Sequence, residues 1–160
     1  MIKFLLEFQK KYNLKIFLEP GEAVVLGTGV YVAEIIDITK NGETNNVIID
    51  GSCTAHLPDI LEMPYRADVL GSGMPNEKKY TYRIGGLSCL AGDIFGDYSF
   101  DNKLNIGDKL VFMDMSHYTM VKTNTFNGVQ LPYICTWNSL NNELKTIKSF
   151  TYEDFKNRLG

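Results

Sequence analysis

Near the start of the chain, Ile2, Leu5, Leu6, Phe8 and Tyr12 recur at roughly helical spacing, with Lys3, Lys10 and Lys11 on the other side. That spacing predicts an amphipathic helix over 2–12, stopped by Asn13. "KIFLEPG" then predicts a short strand ending in a Pro-Gly turn. From Ala23 onward the pattern is β. "AVVLGTGVYVAEIIDIT", "NNVIIDGS", "KYTYRIGG", "DKLVFMDM", "HYTMVKTN", "YICTWN" and "KTIKSF" all predict strands. Turn signals separate them at Asn41-Gly42, Asn76, Asp101-Asn102, Gly107-Asp108, Asn127-Gly128 and Asn141-Asn142. So many short strands predict a mainly β barrel or sandwich. The closing "TYEDFKNRL" predicts a short helix capped by Thr151, with Asp154 three residues on. The first helix starts at Met1 with no residue before it to cap it, so the chain is expected to begin mid-fold.

Length and composition narrow this picture. The chain has 160 residues, one domain's worth, with 44% hydrophobic and 22% charged residues and a net charge of -3. Lys and Arg are scattered, which argues against a nucleic-acid partner. No apolar run approaches the roughly 20 residues of a membrane span. "MIKFLLEFQKKYN" lacks the features of a secretory signal, so a cytoplasmic location is expected. The three cysteines, Cys53, Cys89 and Cys135, are widely spaced, as free thiols would be.

Several small clusters carry candidate chemistry. Cys53 and His56 have C-x-x-H spacing, but structural zinc sites usually show two such close pairs, so no metal is expected. Cys89 and His117 could form a thiol–imidazole pair, although no thiol-hydrolase signature surrounds Cys89. "LEPGEA" sets Glu19 before a Pro-Gly turn, where Gly21 could bring backbone close to an anion while Glu22 would repel it. "PDILEMPYRADVLG" gathers Asp59, Glu62, Tyr65 and Arg66 in what reads as a polar loop. Tyr118, on a predicted strand, faces either a ligand or the core. Taken singly, none of these decides a function.

In order, "LEPGEA", "HLPDILEMPYR", "GGLSCLAGD", "GDYSF" and "SHYTMVKTNTFNG" resemble the C-terminal half of the carboxynorspermidine decarboxylase family. That family sits among the alanine-racemase-fold decarboxylases that use pyridoxal 5'-phosphate (PLP). The resemblance runs from about Leu14 to Leu159. It implies a remnant of an N-terminal βα-barrel at 1–22 and a C-terminal β domain at 23–160. The Schiff-base lysine would lie outside this chain, since neither Lys15 nor Lys122 occupies its position. The chain alone would then be inactive.

The resemblance also implies roles. Glu19 would pair with the pyridine nitrogen of PLP and keep it protonated, which strengthens the cofactor as an electron sink after CO₂ loss. Gly21 and Tyr118 would contact its phosphate. Cys89 would deliver a proton to the substrate's α-carbon as a general acid. Asp93 would hold the distal amine of a polyamine substrate by a charge-assisted bond. His56, Glu62 and Arg66 would shape the substrate pocket. Cys89 and Asp93 would reach across a homodimer interface into the partner's site. Ornithine and diaminopimelate decarboxylases usually carry arginine where Glu22 stands, so the implied substrate is carboxynorspermidine or carboxyspermidine. Two other readings stay open: a non-enzymatic β domain or protein-interaction module, and a portion of a diaminopimelate- or ornithine-type decarboxylase.

Overall fold

The computed structural model describes residues 1–160 and contains seven strands. In chain order the elements are α1 (Ile2–Tyr12), α2 (Gly21–Val25), β1 (Val30–Asn41), β2 (Thr44–Ile49), α3 (Cys53–His56), α4 (Asp59–Glu62), β3 (Tyr80–Gly85), β4 (Ile94–Phe100), β5 (Lys109–Met113), α5 (Tyr118–Lys122), β6 (Ile134–Asn138), β7 (Glu143–Lys148) and α6 (Tyr152–Leu159). Five strands form one sheet in the order β4-β3-β2-β1-β5, and β6 and β7 form a separate hairpin. The mainly β class read from the sequence holds, as a curled half-barrel. All neighbours pair antiparallel except β2 and β3. A parallel pair needs a crossover, and residues 50–79 supply it with α3 and α4.

Alternation decides which sheet face is covered. Tyr31, Ala33 and Ile35 of β1 point inward and are buried, while Val30, Val32 and Ile36 stay exposed. The inward set joins Val47, Ile49, Ile84, Phe95, Tyr98 and Phe112 in one apolar cluster. Cys53 of α3, Ile60 of α4 and Leu57 between them close over it. The crossover passes so close to β1 that a Cβ on Gly51 would lie 2.0 Å from the Tyr31 hydroxyl oxygen. Only glycine fits there.

The helix at α1 and its left-handed Asn13 cap (φ 51°) match the sequence expectation, as does the Thr151–Asp154 capping box of α6. Other segments differ. Residues 14–20 form no strand, because no element of this chain runs beside them to take up their backbone hydrogen bonds. Ala23–Val25, read as the start of a strand, lie in α2. "HYTMVKTN" folds as α5: Thr119 is buried and Lys122, three residues on, reaches α4, a helical spacing rather than an alternating one. Lys122 and Tyr118 are therefore helical, not strand, residues. Glu62 ends a helix rather than sitting in a loop. Residues 94–100, singled out for chemistry rather than structure, form the edge strand β4. No helix is long and apolar enough to cross a membrane.

Candidate active site

Two clusters emerge. The first surrounds Asp93. Its carboxylate is buried, and it accepts from the Ser52 hydroxyl (3.0 Å), the Thr54 N–H (3.2 Å) and the Ser88 N–H (2.8 Å). Ser52 in turn caps α3 by accepting from the Ala55 N–H at 3.1 Å. A negative carboxylate against the first amides of a helix is favourable in charge as well as in hydrogen bonding. Gly86 leaves the room, since a Cβ there would lie 2.6 Å from an Asp93 oxygen. Asp93 thus ties the 86–93 loop to α3. Cys89, at the loop's outer side, is exposed and a free thiol, and its N–H donates to the Asn127 side-chain carbonyl at 2.8 Å.

His56 lies behind this loop, in the interior. The Ser52 N–H donates to His56 Nδ1 at 3.3 Å, so that nitrogen carries no proton. The Tyr31 hydroxyl, 3.0 Å away, therefore also donates to Nδ1, and the ring proton sits on Nε2, donated to the Gln130 carbonyl at 2.9 Å. Burial lowers the His56 pKa against the opposing pull of that carbonyl and of Asp93 and Asp50. Burial likewise pushes the Cys53 thiol up to about 12, with Asp93 adding to the shift, which leaves it an inert core group.

The second cluster joins residues 19–29 to residues 114–118. The Asp114 carboxylate accepts from the Gly27 N–H at 2.6 Å, the Met115 N–H donates to the Gly29 carbonyl, and the Thr28 and Ser116 hydroxyls meet at 3.0 Å. This strap carries Glu19, Gly21 and Glu22 on one side and His117 and Tyr118 on the other. His117 Nε2 lies 3.9 Å from a Glu22 oxygen, and the His117 and Tyr118 rings meet edge to face. Both His117 ring nitrogens are enclosed and have no hydrogen-bond partner. Glu19 is exposed, and the Gly21 N–H is taken by the Glu19 carbonyl at 2.9 Å. No contact within the chain requires Gly21 to lack a side chain.

The proposed substrate-pocket residues are not gathered together. Glu62 and Asp59 both accept from Lys122 Nζ, at 2.8 and 2.5 Å. Those two hydrogen bonds raise the lysine's pKa. Arg66 instead lies over the buried Tyr98 ring, 4.5 Å from its centroid. Cys89 and His117 sit in different clusters, one against Asn127 and the other near Glu22. Sequence reasoning passed over Asn127, Asn124 and Ser52. Asn124 is held to α3 by the Thr54 carbonyl at 2.8 Å and the Ala55 carbonyl at 2.9 Å. "TNTFNG", with its asparagines, was the available signal.

A family model described as "Pyridoxal-dependent decarboxylase, C-terminal sheet domain" matches residues 15–116. The chain belongs to this family. It is 47% identical over 156 residues to the carboxyaminopropylagmatine decarboxylase of Synechocystis sp., covering 96% of this chain and 40% of that protein. It is 44% identical to the carboxynorspermidine/carboxyspermidine decarboxylase of Campylobacter jejuni, covering 94% of this chain and 42% of that protein. A crystal structure of carboxynorspermidine decarboxylase from C. jejuni, complexed with norspermidine, superposes with a TM-score of 0.83. That pair shares 43% identity over 95% of this chain and 44% of that one. A Methanocaldococcus jannaschii diaminopimelate decarboxylase shares the sheet domain's sequence more distantly, at 26% identity over 80% of this chain and 29% of that protein. The chain thus spans about two fifths of the length of these Synechocystis and Campylobacter relatives.

Proposed function

We propose that this chain is the C-terminal portion of a cytoplasmic, homodimeric PLP-dependent decarboxylase acting on carboxynorspermidine or carboxyspermidine. The observation that carries this reading is the relationship to the C. jejuni enzyme, 44% identical and spread along nearly the whole chain. The donor set also suits PLP. An exposed carboxylate at Glu19, a half-exposed phenol at Tyr118 and the enclosed, unpartnered nitrogens of His117 lie along one strap. When bound, PLP supplies the electron sink for loss of CO₂.

The chain's residues then take these roles. Glu19 holds the proton on the pyridine nitrogen. Tyr118 and the turn at Gly21 hold the phosphate. Cys89, exposed on a fastened loop, gives a proton to the substrate's α-carbon in the partner's site. The buried bonds of Asp93 favour an anchor for that loop over the amine grip that the family resemblance implied. Glu62, exposed although it accepts from Lys122, is the carboxylate offered to a cationic substrate chain, while His56 and Arg66 act apart from it, within the packing of the domain. The Schiff-base lysine comes from the barrel domain of the whole protein.

A second reading is favoured by the 47% identity to the Synechocystis protein. Its named substrate, carboxyaminopropylagmatine, ends in a guanidinium rather than an amine. The test is a comparison of kcat/KM by the complete enzyme for carboxynorspermidine, carboxyspermidine and carboxyaminopropylagmatine. A clear preference for either of the first two supports the proposal. Preference for the guanidinium substrate selects the second reading, and turnover of none of the three rejects both.

A further inference from the structure

Three successive backbone amides of the thiol loop are held by three different groups. The Leu87 N–H donates to the Gly51 carbonyl at 2.9 Å, and the Ser88 N–H to Asp93 at 2.8 Å. The Cys89 N–H donates to the Asn127 side chain at 2.8 Å. The first two partners belong to the crossover and to the loop itself. The third comes from the segment that follows α5, the helix carrying Tyr118. Asn127 is exposed and left-handed, at φ 58° and ψ 13°, a conformation that asparagine tolerates better than most residues. Its segment is fixed at one end by Asn124. The Asn124 side-chain carbonyl accepts from the Phe126 N–H at 3.0 Å, and its amide donates to the Thr54 carbonyl. At the other end, the Gln130 carbonyl takes the His56 Nε2 proton.

We infer that Asn127 is a positioning residue for the Cys89 proton donor: its side-chain carbonyl sets the direction of the Cys89 backbone and so of the thiol. The inference rests on the proposed decarboxylase reading for its catalytic consequence, but not for the contact itself. A thiol delivering a proton to carbon must point within a narrow range of geometry, and small misplacements of a reacting group cost rate rather than affinity. Asp93 and Gly51 fix the loop's base. Asn127 fixes its tip, and it does so from outside the buried network, so its loss should spare the fold.

The backbone angles suggest the variants. Asn127→Gly keeps the left-handed conformation without strain and removes the carbonyl. Asn127→Asp keeps both the conformation and an acceptor oxygen. In the complete enzyme, Asn127→Gly should lower kcat about tenfold with KM unchanged, the size expected for one neutral hydrogen bond. Asn127→Asp should restore most of it. In this chain, exchange of the Cys89 amide proton should speed up about tenfold in Asn127→Gly and stay slow in Asn127→Asp. Unchanged exchange in Asn127→Gly would overturn the contact. An equal loss of kcat in the Gly and Asp variants, or a loss confined to KM, would overturn the positioning role. If the complete enzyme decarboxylates none of the three substrates, the proposed function fails, and amide exchange still decides whether Asn127 holds Cys89.

Discussion

The thiol loop and the segment from Leu14 to Leu26 are both placed in the active site by the family resemblance, yet they are built in opposite ways. Around the loop, Asp93, Ser52, His56 and Tyr31 are all buried and satisfy one another. In the other segment, Phe17 is 84% exposed and Leu18 is 60% exposed, and no strand forms. The first region carries its own partners in this chain. In the second, residues 14–20 have no strand of this chain beside them, so their sequence preference for a strand goes unexpressed. A strand is stable only with a neighbour to complete its hydrogen bonds, whereas a buried carboxylate with three donors fixes its own surroundings.

The sharpest way to break this contrast is Asp93→Ala. It leaves the Thr54 and Ser88 amides and the Ser52 hydroxyl without their buried acceptor. A loss of about 3 kcal/mol or more in urea unfolding of this chain is expected. A loss below about 1 kcal/mol would show that the network is not what holds the loop.

His56 sharpens the same side of the comparison through pH. Its folded pKa lies below its unfolded value of 6.5, so the unfolded chain takes up the proton first as pH falls. The contribution of neutral His56 is fully present above 6.5 and is lost as pH falls from there through its folded pKa. Protonation would also displace the Ser52 and Tyr31 donors from Nδ1. Unfolding measured at pH 7.5 and pH 5 should show the drop. His56→Gln should flatten that part of the profile, and an unchanged slope in the variant would assign the drop to other groups.

The smallest effect belongs to the exposed segment. Phe17→Ser should change this chain's stability by no more than about 0.5 kcal/mol in the same unfolding measurement. A large loss would mean that Phe17 packs against this chain after all.

The same contrast explains what could be read from the sequence. Alternation in "KYTYRIGG" and "DKLVFMDM" reported β3 and β5 because their buried and exposed faces belong to one chain. The Thr151–Asp154 capping box was legible because a cap is local. "HYTMVKTN" misled because alternating Tyr118, Met120 and Lys122 mimic a strand, while the contacts of Thr119 and Lys122 impose a helix. Among the site residues, Cys89 and Asp93 were visible as a motif. The direction of the Asp93 carboxylate was not, because it depends on Ser52 and Thr54, about forty residues earlier in the chain. Asn127 was visible only as a turn signal, and its use as an acceptor needs the fold.

The most direct test of the account is the rate of carboxynorspermidine decarboxylation by the complete enzyme with Cys89→Ala. A general acid contributes typically 10²- to 10⁴-fold, so kcat should fall by about that factor while KM stays close to the parent value. Turnover within about twofold of the parent, with the same product, would contradict the assignment of the thiol as proton donor.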